Sequence, residues 1–177
     1  MSLTRPLPGE YAEGYATYIA EAGEGDVLAL LQAQLEEVVA LFEGLSDAQG
    51  GFRYAPGKWS LKDLLQHIID AERIFTYRCL RIGRGDATPM PGFEEDDYAA
   101  AAGADGRSLA DLIAEWRALR TASLALFRSL PDAAWGNQGT TNNRAITARC
   151  IPYITQGHAA HHLTVIRERY LPALKSA

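Results

Sequence analysis

Apolar side chains recur every three to four positions in four separated stretches of this chain, and nowhere is an alternation of period two sustained. In the first stretch Val27, Leu28, Leu30, Leu31, Leu35, Val38, Val39, Leu41 and Phe42 make a broad apolar face, with Gln32, Gln34, Glu36, Glu37 and Glu43 mostly opposite. That spacing predicts an amphipathic helix. Asp26 suits its N-cap, and Gly44 with the SDAQGG run ends it. The second stretch opens on Ser60 and Asp63, the pattern of a capping box. Its stripe is Leu61, Leu64, Leu65, Ile68, Ile69, Phe75 and Leu80, with His67 at the border and Gly83 and Gly85 as stop signals. Ser108 and Asp111 repeat the capping pattern for a third helix, whose core side reads Leu109, Leu112, Ile113, Trp116, Leu119, Ser123, Leu126 and Phe127, up to Pro131. The fourth, TARCIPYITQGHAAHHLTVIRERYL over 147–171, reads as one long helix with Thr147 as N-cap. Pro152 lies five residues in, which predicts an irregular first turn or a kink.

The stretches between are equally informative. Residues 1–25 carry six Pro and Gly among Tyr11, Tyr15, Tyr18 and Ile19 at helical spacing, and predict an arm that packs on the body with a turn or two of helix. Residues 84–106 are long enough for a crossover and include a short helix within 94–102, whose acidic cluster Glu94–Asp97 suits a solvated helix start. Residues 134–146 read as loop through Gly136, Gly139 and Asn142-Asn143. Four amphipathic helices of about 20 residues, each about 30 Å long, make an all-α four-helix bundle the economical fold. The 177 residues suit a single domain, 1–177, with 1–25 as its arm.

Composition narrows the function classes. The chain is 47% hydrophobic and 22% charged with a net charge of −5, an ordinary globular balance. No basic run or stripe is present, which argues against a nucleic-acid partner. No apolar run reaches the ~18–20 residues of a membrane span, and the N-terminus lacks the apolar core of a secretory signal. Cys79 and Cys150 form no CxxC or disulfide framework and read as small buried hydrophobes. A cytoplasmic location is the simplest expectation.

The chemistry is carried by histidine. Three of the four, His158, His161 and His162, fall in the last helix, and His67 falls in the second. At about 100° per residue, His162 lies about 40° to one side of His158 and His161 about 60° to the other. His158 and His162 continue the inward row Ile154, His158, His162, Ile166. One more imidazole from a facing helix completes a three-nitrogen metal site with positions to spare. His161 is then a supporting or surface residue. Ala159 follows His158, so the HExxH motif of zinc proteases is absent, as are the paired ExxH motifs of di-iron bundles. Three imidazoles without a thiolate favour zinc or nickel, with iron also compatible.

The segments GKWSLKDLLQHIIDAERIFTYR, PGF, RSLADLIAEWRALR, SLPDAAW and GHAAHHLTVIRERYL, in this order and spacing, resemble the DinB/YfiT-like family in its DinB_2 branch. The resemblance spans roughly residues 10–171. It implies a four-helix bundle with a non-simple helix order, often a homodimer, and a divalent metal held by the positions that match His67, His158 and His162 here. Relatives often carry GHELHH, where this chain has Ala159 and Ala160. Characterised relatives include S-transferases and isomerases that use low-molecular-weight thiols such as bacillithiol or mycothiol. Two functions follow as expectations. One is a metal-dependent transferase or hydrolase that activates a thiol or water against a small molecule, with its catalytic residues unassigned. The other is a non-catalytic metal- or ligand-binding bundle in a stress response. Arg73, Arg78, Arg81 and Arg84 read as helix-surface residues rather than as a cofactor site. A dimer is also expected from the first helix, where Val27, Leu31, Val38 and Phe42 lie partly off the stripe built on Leu28, Leu35 and Leu41.

Overall fold

The computed structural model describes residues 3–175. Four long helices dominate it: α1 (Val27–Glu43), α2 (Leu61–Gly83), α3 (Leu109–Ser129) and α4 (Cys150–Val165). Their starts are fixed by local chemistry. The Asp26 side chain accepts from the Leu28 amide, Ser60 and Asp63 form the reciprocal capping box, and the Ser108 hydroxyl accepts from the Asp111 amide. Each satisfies amides that a helix leaves without an internal partner.

The order of the helices is not a simple meander. α1 packs on α3 and α4, and α2 packs on the same two, so α1 and α2 stand diagonally. The N-terminal halves of α1 and α4 share one apolar cluster with the C-terminal halves of α2 and α3. The opposite halves share a second cluster. α2 and α3 therefore run parallel, and the crossover expected at 84–106 is what lets them do so. It contains the short helix Glu95–Ala102.

Between the two clusters lies a buried polar layer. Arg120, fully buried, donates to both Glu72 carboxylate oxygens at 2.8–3.0 Å, to the Leu31 carbonyl at 2.9 Å and to Gln34 Oε1 at 3.1 Å. Gln34 Nε2 donates in turn to the Gln156 carbonyl on α4. Gln34 thus belongs to the core and not to the solvated side of α1. Leu80, placed on the apolar stripe of α2, is instead 39% exposed.

The arm behaves as its tyrosines predict. A 3-10 turn, Glu13–Tyr15, leads into a short helix, Ala16–Glu21, that packs on α4 with Ile19 buried and Tyr11, Tyr15 and Tyr18 against the same cluster. Gly157 on α4 permits the close approach, since a Cβ there would sit 1.8 Å from the Tyr18 carbonyl oxygen. Val27, Leu31, Val38 and Phe42 are all fully buried within the chain. The wide apolar arc of α1 is therefore spent on the chain's own core and arm, and the argument for a partner from that face falls.

Two expectations need correction near α4. Residues 134–146 are not all loop: β1 (Gln138–Thr141) and β2 (Arg144–Thr147) pair antiparallel. Asn142 and Asn143 both take positive φ (48° and 59°), as a two-residue hairpin turn requires. Thr147 ends β2 and does not cap α4, which starts at Cys150. Pro152 consequently falls in the first turn, where its missing amide costs no internal bond. α4 is unbroken to Val165, then widens into a π-helical turn (Ile166–Tyr170) before a last short helix (Leu171–Leu174). Cys79 and Cys150 are buried and unpaired, as expected.

Candidate metal centre

His67 comes from α2, and His158 and His162 come one turn apart from α4, its packed neighbour. Their rings converge. His158 Nε2 lies 3.0 Å from His67 Nε2 and 3.2 Å from His162 Nε2, and one nitrogen from each ring lies within 4.8 Å of the others. His161 does not join them. Its Nδ1 turns outward to Glu21 of the arm, at 3.0 Å.

Aromatic side chains wall the cluster. Tyr18 of the arm and Phe75 of α2 stand edge-on to His158, with ring centroids at 5.1 and 5.5 Å. Trp59 lies 4.8 Å from the His67 ring. Tyr170, which the π turn brings inward, donates its hydroxyl to the Trp59 carbonyl at 2.8 Å. None of these four was assigned to the site from sequence. Only Trp59 had a local signal, its place directly before the capping Ser60.

Burial sets the protonation of the rings. It pushes His67 from the usual 6.5 down to about 4, against a small opposing pull from the Asp96 carboxylate. It pushes His162 down to about 3, with the neighbouring rings adding to the effect. Burial and the neighbouring rings likewise hold His158 well below 6.5. All three are neutral near pH 7, the state in which imidazole ligates metal.

The donor set fits a divalent cation. A neutral ring nitrogen either donates one proton or offers one lone pair. His158 Nε2 faces two other Nε2 atoms, so hydrogen bonding cannot satisfy both contacts. A cation shared among three lone pairs satisfies all of them. Tetrahedral ligation at zinc–nitrogen distances needs nitrogens about 3.3 Å apart, within a few tenths of an ångström of the two spacings seen.

The cluster is not sealed. His162 lines a cleft of about 350 Å³ together with Tyr54, Lys58, Trp59, Asp96 and Tyr170. Asp96 is the carboxylate among the cleft's described lining residues. It comes from the acidic start of the crossover helix, which sequence alone reads as a solvated surface.

No helix is long and apolar enough to cross a membrane among the described residues. No curated protein matches the chain significantly. Its fold is similar to that of YfiT from Bacillus subtilis, described as a probable metal-dependent hydrolase with an unusual four-helix bundle topology. The two superpose with a TM-score of 0.67 at 19% identity, over 93% of this chain and 90% of that one. At that identity the likeness is one of fold. Residues 30–166 match the DinB_2 profile of the DinB superfamily, and on that match the chain belongs to the DinB superfamily.

Proposed function

We propose that this chain is a divalent-metal-dependent enzyme acting on a small molecule, with His67, His158 and His162 as the metal ligands. The observation that carries it is the convergence of three neutral imidazoles, His67 and His158 buried and His162 half-buried, beside a cleft that His162 lines. A purely structural metal would be enclosed by four protein ligands, and among the described residues three donors converge here. A divalent metal in this place would lower the pKa of a thiol or water, giving a nucleophile at neutral pH.

The remaining work falls to the chain's own groups. Ala159 leaves no carboxylate beside His158 on α4, and Asp96 is the cleft group able to take a proton from an incoming nucleophile. Tyr18, Phe75 and Trp59 exclude water from the inner side of the rings. Lys58 and Tyr54 at the mouth can hold polar parts of a substrate. YfiT's description favours hydrolysis, and the family's thiol-using members favour transfer. The metal fits zinc or nickel best, with iron compatible.

The test is turnover by protein loaded in turn with zinc, nickel and iron. It is offered ester and amide substrates, then low-molecular-weight thiols with electrophiles. The proposal expects metal-dependent turnover that His158→Ala abolishes and Asp96→Asn slows at least about tenfold. Full metal occupancy with no turnover across both panels would favour the non-catalytic bundle.

A further inference from the structure

A second cavity, of about 390 Å³, lies between the arm, the C-terminal half of α2 and the hairpin turn. That size suits a small molecule. Its charged lining is Arg78, Arg144, Glu94 and Glu95, and among the described residues none of the four is ion-paired. Arg78 is the telling one. It is 4% exposed and not at the helix surface as its sequence position implies. Its guanidinium donates only to neutral oxygens, the Tyr15 hydroxyl at 3.2 Å and the Pro91 carbonyl at 2.9 Å. Arg120, also buried, has the Glu72 carboxylate as partner. A buried cation without an anion is costly. On the same cavity wall, Thr141 is 1% exposed. Its Oγ1 is the one buried side-chain polar atom among the described residues that lacks a hydrogen-bond partner.

We propose that this cavity binds a small zwitterion of the α-amino-acid class. The carboxylate is held by Arg78 and the Thr141 hydroxyl, with Arg144 at the rim, and the ammonium faces Glu94 and Glu95. The charge pattern selects this class. Phosphate would meet two glutamates, and a simple cation would meet two arginines. Glu95 of this cavity and Asp96 of the histidine cleft are consecutive on the crossover helix. Tyr15, Phe75 and His158 also follow one another edge-on, at 6.5 and 5.5 Å between centroids. A substrate or cofactor headed by an amino-acid group is thereby gripped two aromatic rings, Tyr15 and Phe75, from His158. The binding itself requires no metal, so it stands apart from the metal assignment.

The test is saturation-transfer NMR and calorimetry on the full chain, metal-free and metal-loaded, against the free L-amino acids and inorganic phosphate. At least one amino acid should bind saturably to both forms. Acetylating its amine, or converting its carboxyl to the amide, should weaken binding at least about tenfold. Arg78→Gln and Arg144→Gln should weaken it likewise, and Thr141→Val severalfold. Thr141→Val removes a hydroxyl that bonds to nothing in the chain, so it remains decisive if Arg78→Gln does not fold. No binding below about 10 mM, phosphate binding more tightly than every amino acid, or unchanged affinity in Thr141→Val and Arg144→Gln would each overturn the inference. Failure here with metal stoichiometry intact rejects this site alone. Amino-acid binding without metal binding rejects the metal assignment alone.

Discussion

Gly157→Ala separates tertiary packing from helix propensity, because the two predict opposite signs. In an isolated helix the substitution stabilises by about 1 kcal/mol. Here the added methyl would sit 1.8 Å from the Tyr18 carbonyl oxygen and 2.6 Å from its carbon, and backbone cannot rotate aside. The arm must retreat. That uncovers Ile19 and Ala22, each now 4% exposed, and breaks the Gly23 amide to Gln156 Oε1 bond of 3.0 Å. Burying an isoleucine contributes about 1.5–3 kcal/mol, and the hydrogen bond about 1 kcal/mol. Subtracting the propensity gain leaves a net loss of about 1.5–3 kcal/mol. Urea unfolding of the two metal-free proteins measures it, with unchanged slope expected. Tyr18 should also leave the His158 ring, which native-state tyrosine fluorescence and amide exchange in the arm would follow. A variant as stable as the parent, or more stable, would refute the close docking of arm on α4.

Three further outcomes follow from the same structure. Arg120→Met should cost about 3–5 kcal/mol, because it strands the buried Glu72 carboxylate. Combining it with Glu72→Gln should recover part of that loss, and strictly additive losses in urea unfolding would contradict the pairing. Metal-free protein should lose stability as pH falls from about 6.5 towards 4. The unfolded imidazole of His67 takes up a proton near 6.5 while the folded one resists to about 4, so an unfolding midpoint that stays flat over this window would contradict the burial of the rings. The homodimer implied by family resemblance would have to use a face other than α1, such as the exposed Tyr77 and Leu80 on the outer side of α2. Light scattering should then give twice the 19.3 kDa chain mass, reduced by Tyr77→Glu, and a monomer at micromolar concentration ends the dimer proposal.

What the sequence disclosed is what neighbours along the chain determine. The caps at Asp26, Ser60 and Ser108, the crossover helix, and the shared side of His158 and His162 all rest on interactions within four residues. What it hid depends on distant partners. Gln34 reads as solvent-facing because its partner Gln156 lies 122 residues away. Asp96 is indistinguishable from its acidic neighbours until the crossover folds over α2. The hairpin had a local signal in Asn142-Asn143, but its four-residue strands are too short to display an alternation. Reading the hairpin as loop places the start of α4 at Thr147 and sets Pro152 five residues in, as an irregular turn or a kink, when it belongs to the first turn. Tyr18 could be read as packing, but the one residue it meets edge-on, His158, could not be read from either segment alone.

The central claim is that His67, His158 and His162 form one metal site and that His161 lies outside it. Metal content per chain, by elemental analysis after reconstitution with zinc or nickel at about pH 7.5 and desalting, tests it directly. The account predicts one equivalent in the parent and in His161→Ala, and loss of that equivalent in His67→Ala, His158→Ala and His162→Ala. Metal content unchanged in His158→Ala and His162→Ala would contradict it.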